Sequence, residues 1–244
     1  MTSGDATLRF RPIAAAVVRT ARRNPWRILA VSIVVSAVTV AVELAADRLL
    51  DRMDVATALA GSLSASAVSL LGAVFLSGFL SRLVSETGQG EHDAPGTRIR
   101  DVLRSLPWGS LILADLMATV IIVAGLLVLI IPGLVAITLL AVVGPVIEIE
   151  HRHAWAGLRR SVHLVRPRFW RAAAFATLPI LASNGIVAFL PDPSGTTDVV
   201  TTLIVRSAGD GIVESVVGLL LVELCYRLIA ADRAAARQAA QPVV

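Results

Sequence analysis

The sequence predicts an all-α, polytopic helical membrane protein, with six transmembrane helices and basic amphipathic helices lying at the interface. Composition is the first ground: 56% of the 244 residues are hydrophobic and only 16% charged, against about 25% charged in a soluble domain. Charge spacing is the second, since no charged residue falls between Leu116 and Ile147, a run long enough to cross a bilayer. The third is arginine placement. All 22 basic residues are arginine, and they gather beside the apolar runs, as cytoplasmic flanks of spans do. The net charge of +4 and this placement point to anionic lipid headgroups as partners and away from nucleic acid. Arginine without lysine, amid so much alanine and valine, points to a GC-rich bacterial genome. Cys225 is the only cysteine, so no intrachain disulfide is possible.

In chain order, residues 1–9 read as a disordered start, 10–234 as one membrane domain and 235–244 as a tail. From Phe10 to Arg23, apolar Phe10, Ile13, Val17 and Ala21 recur at helical spacing among arginines, which predicts a short helix in the headgroup region. Asn24-Pro25 breaks it, and Trp26 stands where an interfacial aromatic belongs. The first span covers 27–45 and lacks a signal-peptide cleavage site, so it reads as retained. The second covers 56–84, with small residues at Gly61, Ala65, Ser69, Ala73, Ser77 and Ser81. Such a stripe lets a neighbouring helix approach closely; the alternative is a polar lining for a pore. Residues 85–106 form a basic loop.

The next uncharged run would be about 48 Å long as one straight helix, against a hydrocarbon core of roughly 30 Å. Pro132-Gly133 near its middle is either a kink or a turn. With one span, an arginine-rich loop is forced outside; with a hairpin, the loops at 85–106 and 149–168 share a side. The positive-inside rule selects the hairpin, with spans 108–131 and 133–148. A fifth span runs over 169–190 and an outer turn follows at Pro191–Gly195. Val199 to Arg206 reads as a shallow outer helix interrupted at Asp210-Gly211, ahead of the last span at 212–231. Only Arg48, Arg52 and Arg206 then lie outside, so both termini are placed in the cytoplasm of a bacterium, at its inner membrane.

Residues 131–170 also carry a resemblance. Ile131-Pro132-Gly133, then Pro145 and Glu150 as P-x4-E, then Ala156, Arg159, Arg160 and Ser161, and finally Trp170 form a pattern that resembles an uncharacterised bacterial integral-membrane family. The pattern is similar also to the membrane domain attached to some glycerophosphodiester phosphodiesterases. The match is specific over about forty residues and loose elsewhere. It implies a helical membrane unit whose own activity is not established. The phosphodiesterase chemistry belongs to a separate soluble domain, whose His-Arg-Gly-type motif His151-Arg152-His153 does not reproduce.

Among the polar residues, Trp155, Leu158, Val162 and Val165 make one apolar stripe, with Arg159, Arg160, His163 and Arg166 on much of the remaining surface. This predicts an interfacial helix meeting anionic headgroups. Glu150 precedes Arg160 and Ser161, and a carboxylate at that boundary is expected to pair with an arginine to fix the helix against the span. Glu148, Glu150, His151 and His153 are chemically plausible zinc ligands, but a two-residue histidine spacing suits no helix face, and no metal or other cofactor is assigned. Charges within spans are the default functional candidates. Asp115 and Glu223 lie at comparable depth and are expected to converge, whereas Glu214 sits at the outer mouth on the opposite face from Glu223. Arg227, four residues after Glu223, offers it a structural ion pair instead. No nucleophilic triad or phosphate loop is present. The sequence thus reads as a non-enzymatic scaffold, accessory or lipid-interacting module, partnered by anionic lipid, another membrane protein or a second copy of itself. The alternative is a small transporter or channel using Asp115, Glu214 and Glu223.

Overall fold

A computed structural model describes residues 10–50, 68–69, 71–85, 104, 106–177, 179 and 199–240. The start at 1–9, residues 51–67, most of the loop at 85–106 and most of the second half of the fifth span lie outside the described residues. Within them all regular structure is helical. Three helices are long and apolar enough to cross a membrane: Pro25–Val42, Trp108–Val128 and Ile130–Glu150. They fit a membrane protein by length and composition.

Helix α1 (Phe10–Arg23) and helix α2 (Pro25–Leu50) meet at the bend the sequence places at Asn24. Pro25 has no N–H and its ring crowds the preceding turn, yet Asn24 N–H still reaches Thr20 O at 3.2 Å and Ile28 N–H reaches Asn24 O at 3.1 Å. Buried Ile13 pins α1 into a cluster with Leu224 and Leu228. Helix α3 (Leu71–Ser85) and α2 approach closely at Gly72, where an added methyl would lie 2.9 Å from Val35 Cγ1.

Helix α4 (Trp108–Val128) and helix α5 (Ile130–Leu140) are joined by Leu129 alone, whose extended backbone (φ −163°, ψ 145°) reverses the chain. The turn therefore falls three residues before Pro132-Gly133, where the sequence suggested it. Pro132 sits in the first turn of α5, a position that needs no N–H donor. Gly133 has a packing role instead: a methyl on Gly125 would lie 3.1 Å from Gly133 Cα, so the legs cross backbone to backbone.

The returning leg is itself broken. Helix α6 (Val143–Glu150) follows a turn at Ala141–Val142. Pro145 explains the break, since its ring displaces the carbonyl four residues earlier, that of Ala141. The expected span at 133–148 is thus two helix segments. The hairpin closes at Gly78 of α3, whose missing side chain admits Leu106, at the start of one leg, and Glu148, at the end of the other. His151 ends α6 in the left-handed region at φ 50°.

Helix α7 (Ala154–Val165), a 3-10 turn (Arg166–Arg168) and helix α8 (Phe169–Phe175) lead on. The last described element is helix α9, unbroken from Val199 to Ala239. It replaces the expected outer helix, interruption and separate span, and it carries the expected tail as helix to Ala239. Gly211 does not end it. A methyl there would meet the Ile33 backbone at 3.0 Å, so this glycine seats α9 on α2. Glu214, Glu223 and Arg227 keep its 212–231 stretch more charged than the three apolar helices.

The hairpin crossing generates a test. Gly125→Val and Gly133→Val are each expected to cost about 1–3 kcal/mol, as overpacking does, and to lower the thermal midpoint in detergent. Gly109→Ala, with nothing within 4 Å of the added methyl, leaves the midpoint unchanged or raises it.

Candidate functional site

Helix α7 is held against the hairpin by polar contacts that its sequence neighbours make possible. Pro145 breaks the returning leg and releases carbonyls near the end of α5; Ser161 Oγ donates to one of them, Leu139 O, at 2.7 Å. Ten residues separate Glu150 from Arg160, enough to turn the chain back, and the guanidinium grips both carboxylate oxygens at 3.0–3.2 Å. The same guanidinium reaches Asp232 of α9 at 2.8 Å, while Arg152 takes the other side of Glu150 at 2.6 Å. Burial alone pulls the Arg160 pKa down; the hydrogen bonds and charges of Glu150 and Asp232 outweigh it and raise the pKa, so this cation persists at any usable pH.

These contacts set which face of α7 turns inward. Ala154, Gly157, Leu158, Ser161, Leu164 and Val165 are buried. The expected apolar stripe is rotated accordingly: Leu158 and Val165 belong to the buried face, Val162 lies at its edge, and Trp155 is 59% exposed. Trp155 stands out because the inward positions next to it are filled by alanine and glycine, which let α7 lie on Ile147.

Between α7 and the hairpin lies a groove of about 1280 Å³. Its floor is apolar, made by Ile131, Val135 and Leu139 of α5 and Ile121 of α4. Its rim carries Arg159, His163, Arg166 and Arg168, with Trp155 beside them. Among the described residues no carboxylate pairs with Arg159, Arg166 or Arg168; Asp232, also on the rim, is engaged by Arg160 and lies 3.7 Å from His163. The groove is therefore amphiphilic, an aliphatic trough with cations at one end. Its volume exceeds the roughly 300–1,000 Å³ of ordinary small-molecule pockets.

The carboxylates expected within spans are arranged differently from the expectation. Asp115 and Glu214 line one cavity of about 310 Å³ together with Ser77, and Glu214 accepts a hydrogen bond from Ser36 Oγ of α2 at 3.0 Å. Glu223 does not line that cavity. It pairs with Arg227 at 2.7 Å, four residues on, and Arg227 in turn donates to Pro12 O at 3.0 Å. The expected convergence of Asp115 and Glu223 is not found: nine residues put Glu214 and Glu223 on opposite faces of α9, and it is the Glu214 face that packs toward α2 and the α4 cavity. Glu214 consequently faces α2 and the α4 cavity, and Glu223 points a different way, to α1. Of the small-residue stripe, Gly61 and Ala65 lie outside the described residues, Ala73 and Ser77 line this cavity and Ser81 lines a second; Ser77 Oγ also comes close to Gly144 of α6, and α3 makes tighter approaches at Gly72 and Gly78.

Two further participants carry weaker signals in the sequence. Asp232 follows the last apolar run with nothing local to mark it as the partner of Arg160. Arg168 was counted among the flanking arginines, but its place on the rim depends on the 3-10 turn that follows α7. Glu148 and exposed His151 line the second cavity, whereas His153 is exposed outside it and Glu150 is engaged by arginines. No family model matches the chain, and neither does any curated protein or solved structure.

Removing the Arg160 clasp has a measurable cost. Arg160→Ala leaves Glu150, whose side chain is 9% exposed, with only Arg152. Breaking a fully buried pair from one side costs about 3–5 kcal/mol, and partial exposure reduces this to about 1–3 kcal/mol. Arg160→Lys, which loses the two-pronged grip, falls between wild type and alanine in thermal unfolding.

Proposed function

We propose that this protein is a non-enzymatic integral membrane module of the bacterial cytoplasmic membrane that binds an anionic, phosphate-bearing amphiphile in the groove beneath α7. The carrying observation is the groove itself, where an aliphatic floor leads to Arg159, Arg166 and Arg168, none of them paired with a carboxylate among the described residues. From Ile131 to Leu140 the floor is about 14 Å long at 1.5 Å per residue, close to half of a roughly 30 Å hydrocarbon core. That length suits the acyl chain of a single leaflet. Guanidinium groups match phosphate oxygens in pairs, so the rim suits a phosphate headgroup.

In this reading the chain crosses six times, with both termini and the basic segments on the cytoplasmic side. The hairpin supports that arrangement, since its two ends meet at Gly78 and bring Leu106 and Glu148, the borders of two basic segments, to one level. Exposed Trp26, Trp155 and Trp170, each close to arginines in sequence, suit the headgroup level. The role is that of an accessory or scaffold protein, with a second copy or another membrane protein as a further partner. Membership of the uncharacterised bacterial membrane family that residues 131–170 resemble is part of the same proposal.

Binding of phosphatidylglycerol or cardiolipin to the purified protein tests it, by native mass spectrometry or a fluorescent-lipid competition. Each rim arginine is worth about 1 kcal/mol near an anionic surface. Arg159, Arg166 and Arg168 changed together to Gln should therefore weaken binding about a hundredfold, and phosphatidylcholine should compete poorly. Equal affinity for the neutral lipid, or no effect of the triple change, would sink the reading.

A further inference from the structure

The groove leaves a separate polar system unused. The cavity containing Asp115 and Glu214 has a neighbour of about 280 Å³, lined by Ser81, Arg82, Ser85, Glu148, His151 and Tyr226. Three pairs of lining residues give their relation. Ser77 and Ser81 on α3, Leu111 and Pro107 on α4, and Gly144 and Glu148 on α6 each lie four residues apart, the first of each pair in one cavity and the second in the other. The cavities are therefore stacked along the helix axes, about 6 Å apart.

The boundary between them is polar on purely structural grounds. Ser81 Oγ and Glu148 Oε2 are both buried without a hydrogen-bond partner, and Ser81 is only 5% exposed. Gly78 provides the space that brings the Glu148 carboxylate against α3. Beyond it, among the described residues, no hydrogen bond or ion pair reaches Asp115. Glu214 follows, bonded to Ser36, and Ser215 Oγ lies 2.6 Å from Ser32 Oγ. Ser207, two turns before Glu214 on the same helix, holds another buried hydroxyl without a partner. His151 in the one cavity and Glu214 in the other are both exposed.

Size restricts what such a seam can carry. At about 30 Å³ per water molecule, each cavity holds at most about ten, and each is at or below the lower limit of small-molecule pockets. An unmatched buried carboxylate oxygen is costly when ionised; a proton removes the charge and supplies a donor for the Ser81 oxygen. Among the described residues, Arg82, His151 and Tyr226 are the other titratable or charged groups lining the cavity with Glu148, while Asp115 and Glu214 are the only ones in the neighbouring cavity.

We propose that the stacked cavities form a proton pathway through the helix bundle, with Glu148, Asp115 and Glu214 as successive carriers. Each carboxylate accepts a proton from water on one side and releases it to water on the other, so charge and atoms balance with no redox partner. Glu223, held by Arg227 outside both cavities, takes no part. The pathway is independent of lipid binding in the groove.

The full chain reconstituted into vesicles with an entrapped pH-sensitive dye tests this, with a valinomycin-set, inside-negative potassium potential as the driving force. Internal acidification is expected at least ten times faster than in protein-free vesicles. Glu148→Gln and Asp115→Asn should each slow it tenfold or more, and Glu148→Asp should restore part of the rate. Glu223→Gln and the triple arginine change should leave it unaltered. Wild-type acidification no faster than in protein-free vesicles overturns the proposal, as does sodium uptake without acidification. Helicity and elution volume check each variant's folding. If Glu148→Gln does not fold, Asp115→Asn decides, and an unchanged rate in that variant refutes the pathway.

Discussion

A proline cannot donate a backbone hydrogen bond, and in the returning leg of the hairpin that single constraint shapes most of the polar end of the molecule. Pro145 breaks the leg at Ala141–Val142 and leaves α5 carbonyls without helical donors. Ser161 satisfies one of them, and this places α7 across the break. With α7 there, Arg160 spans the distance between Glu150 and Asp232 and ties α6, α7 and α9 together. Arg159, Arg166 and Arg168 are then carried to the open side, where they edge the groove. Glu148, on the last turn of the same short helix, is turned toward α3 and the second cavity.

Much of this was legible in the sequence because it depends on local rules. The length of the uncharged run together with arginine asymmetry selects a hairpin, and the helix at Phe10–Arg23 and the bend at Asn24 follow from periodicity and proline chemistry. The Glu150–Arg160 pair was also foreseeable, since a carboxylate at the end of a span faces an arginine-bearing helix. Less legible were features fixed by packing between distant segments. Pro132-Gly133 looks like a turn, but a proline is tolerated in a first helical turn and the glycine serves a helix crossing, so the reversal falls on Leu129. Asp210-Gly211 looks like an interruption for the same reason, while its glycine seats α9 on Ile33. Which of Glu214 and Glu223 meets Asp115 depends on how α9 is rotated against α2 and α4, and no local pattern announces that.

The small residues of α3 show how one pattern serves two purposes. A four-residue repeat of Ala and Ser normally signals close helix contact. Here Ala73, Ser77 and Ser81 border cavities among the described residues, although Ser77 Oγ also comes close to Gly144 of α6, while Gly72 and Gly78, each one residue off a member of the repeat, set the tightest approaches. The glycines fix the spacing of the helices, and the serines inherit the gap.

The unbroken helix α9 has a mechanical consequence. Its 41 residues extend about 61 Å at 1.5 Å per residue, whereas a bilayer measures about 40–45 Å with its headgroups included. To cross a bilayer, a rod of that length must either lean or stand proud of the surface by some three turns. Buried contacts with α2, α1 and α7 along its length resist leaning independently of them. The exposed stretch from Arg233 to Ala239 continues that helix directly past Asp232, so where it stands is set by the register in which Arg160 of α7 grips Asp232.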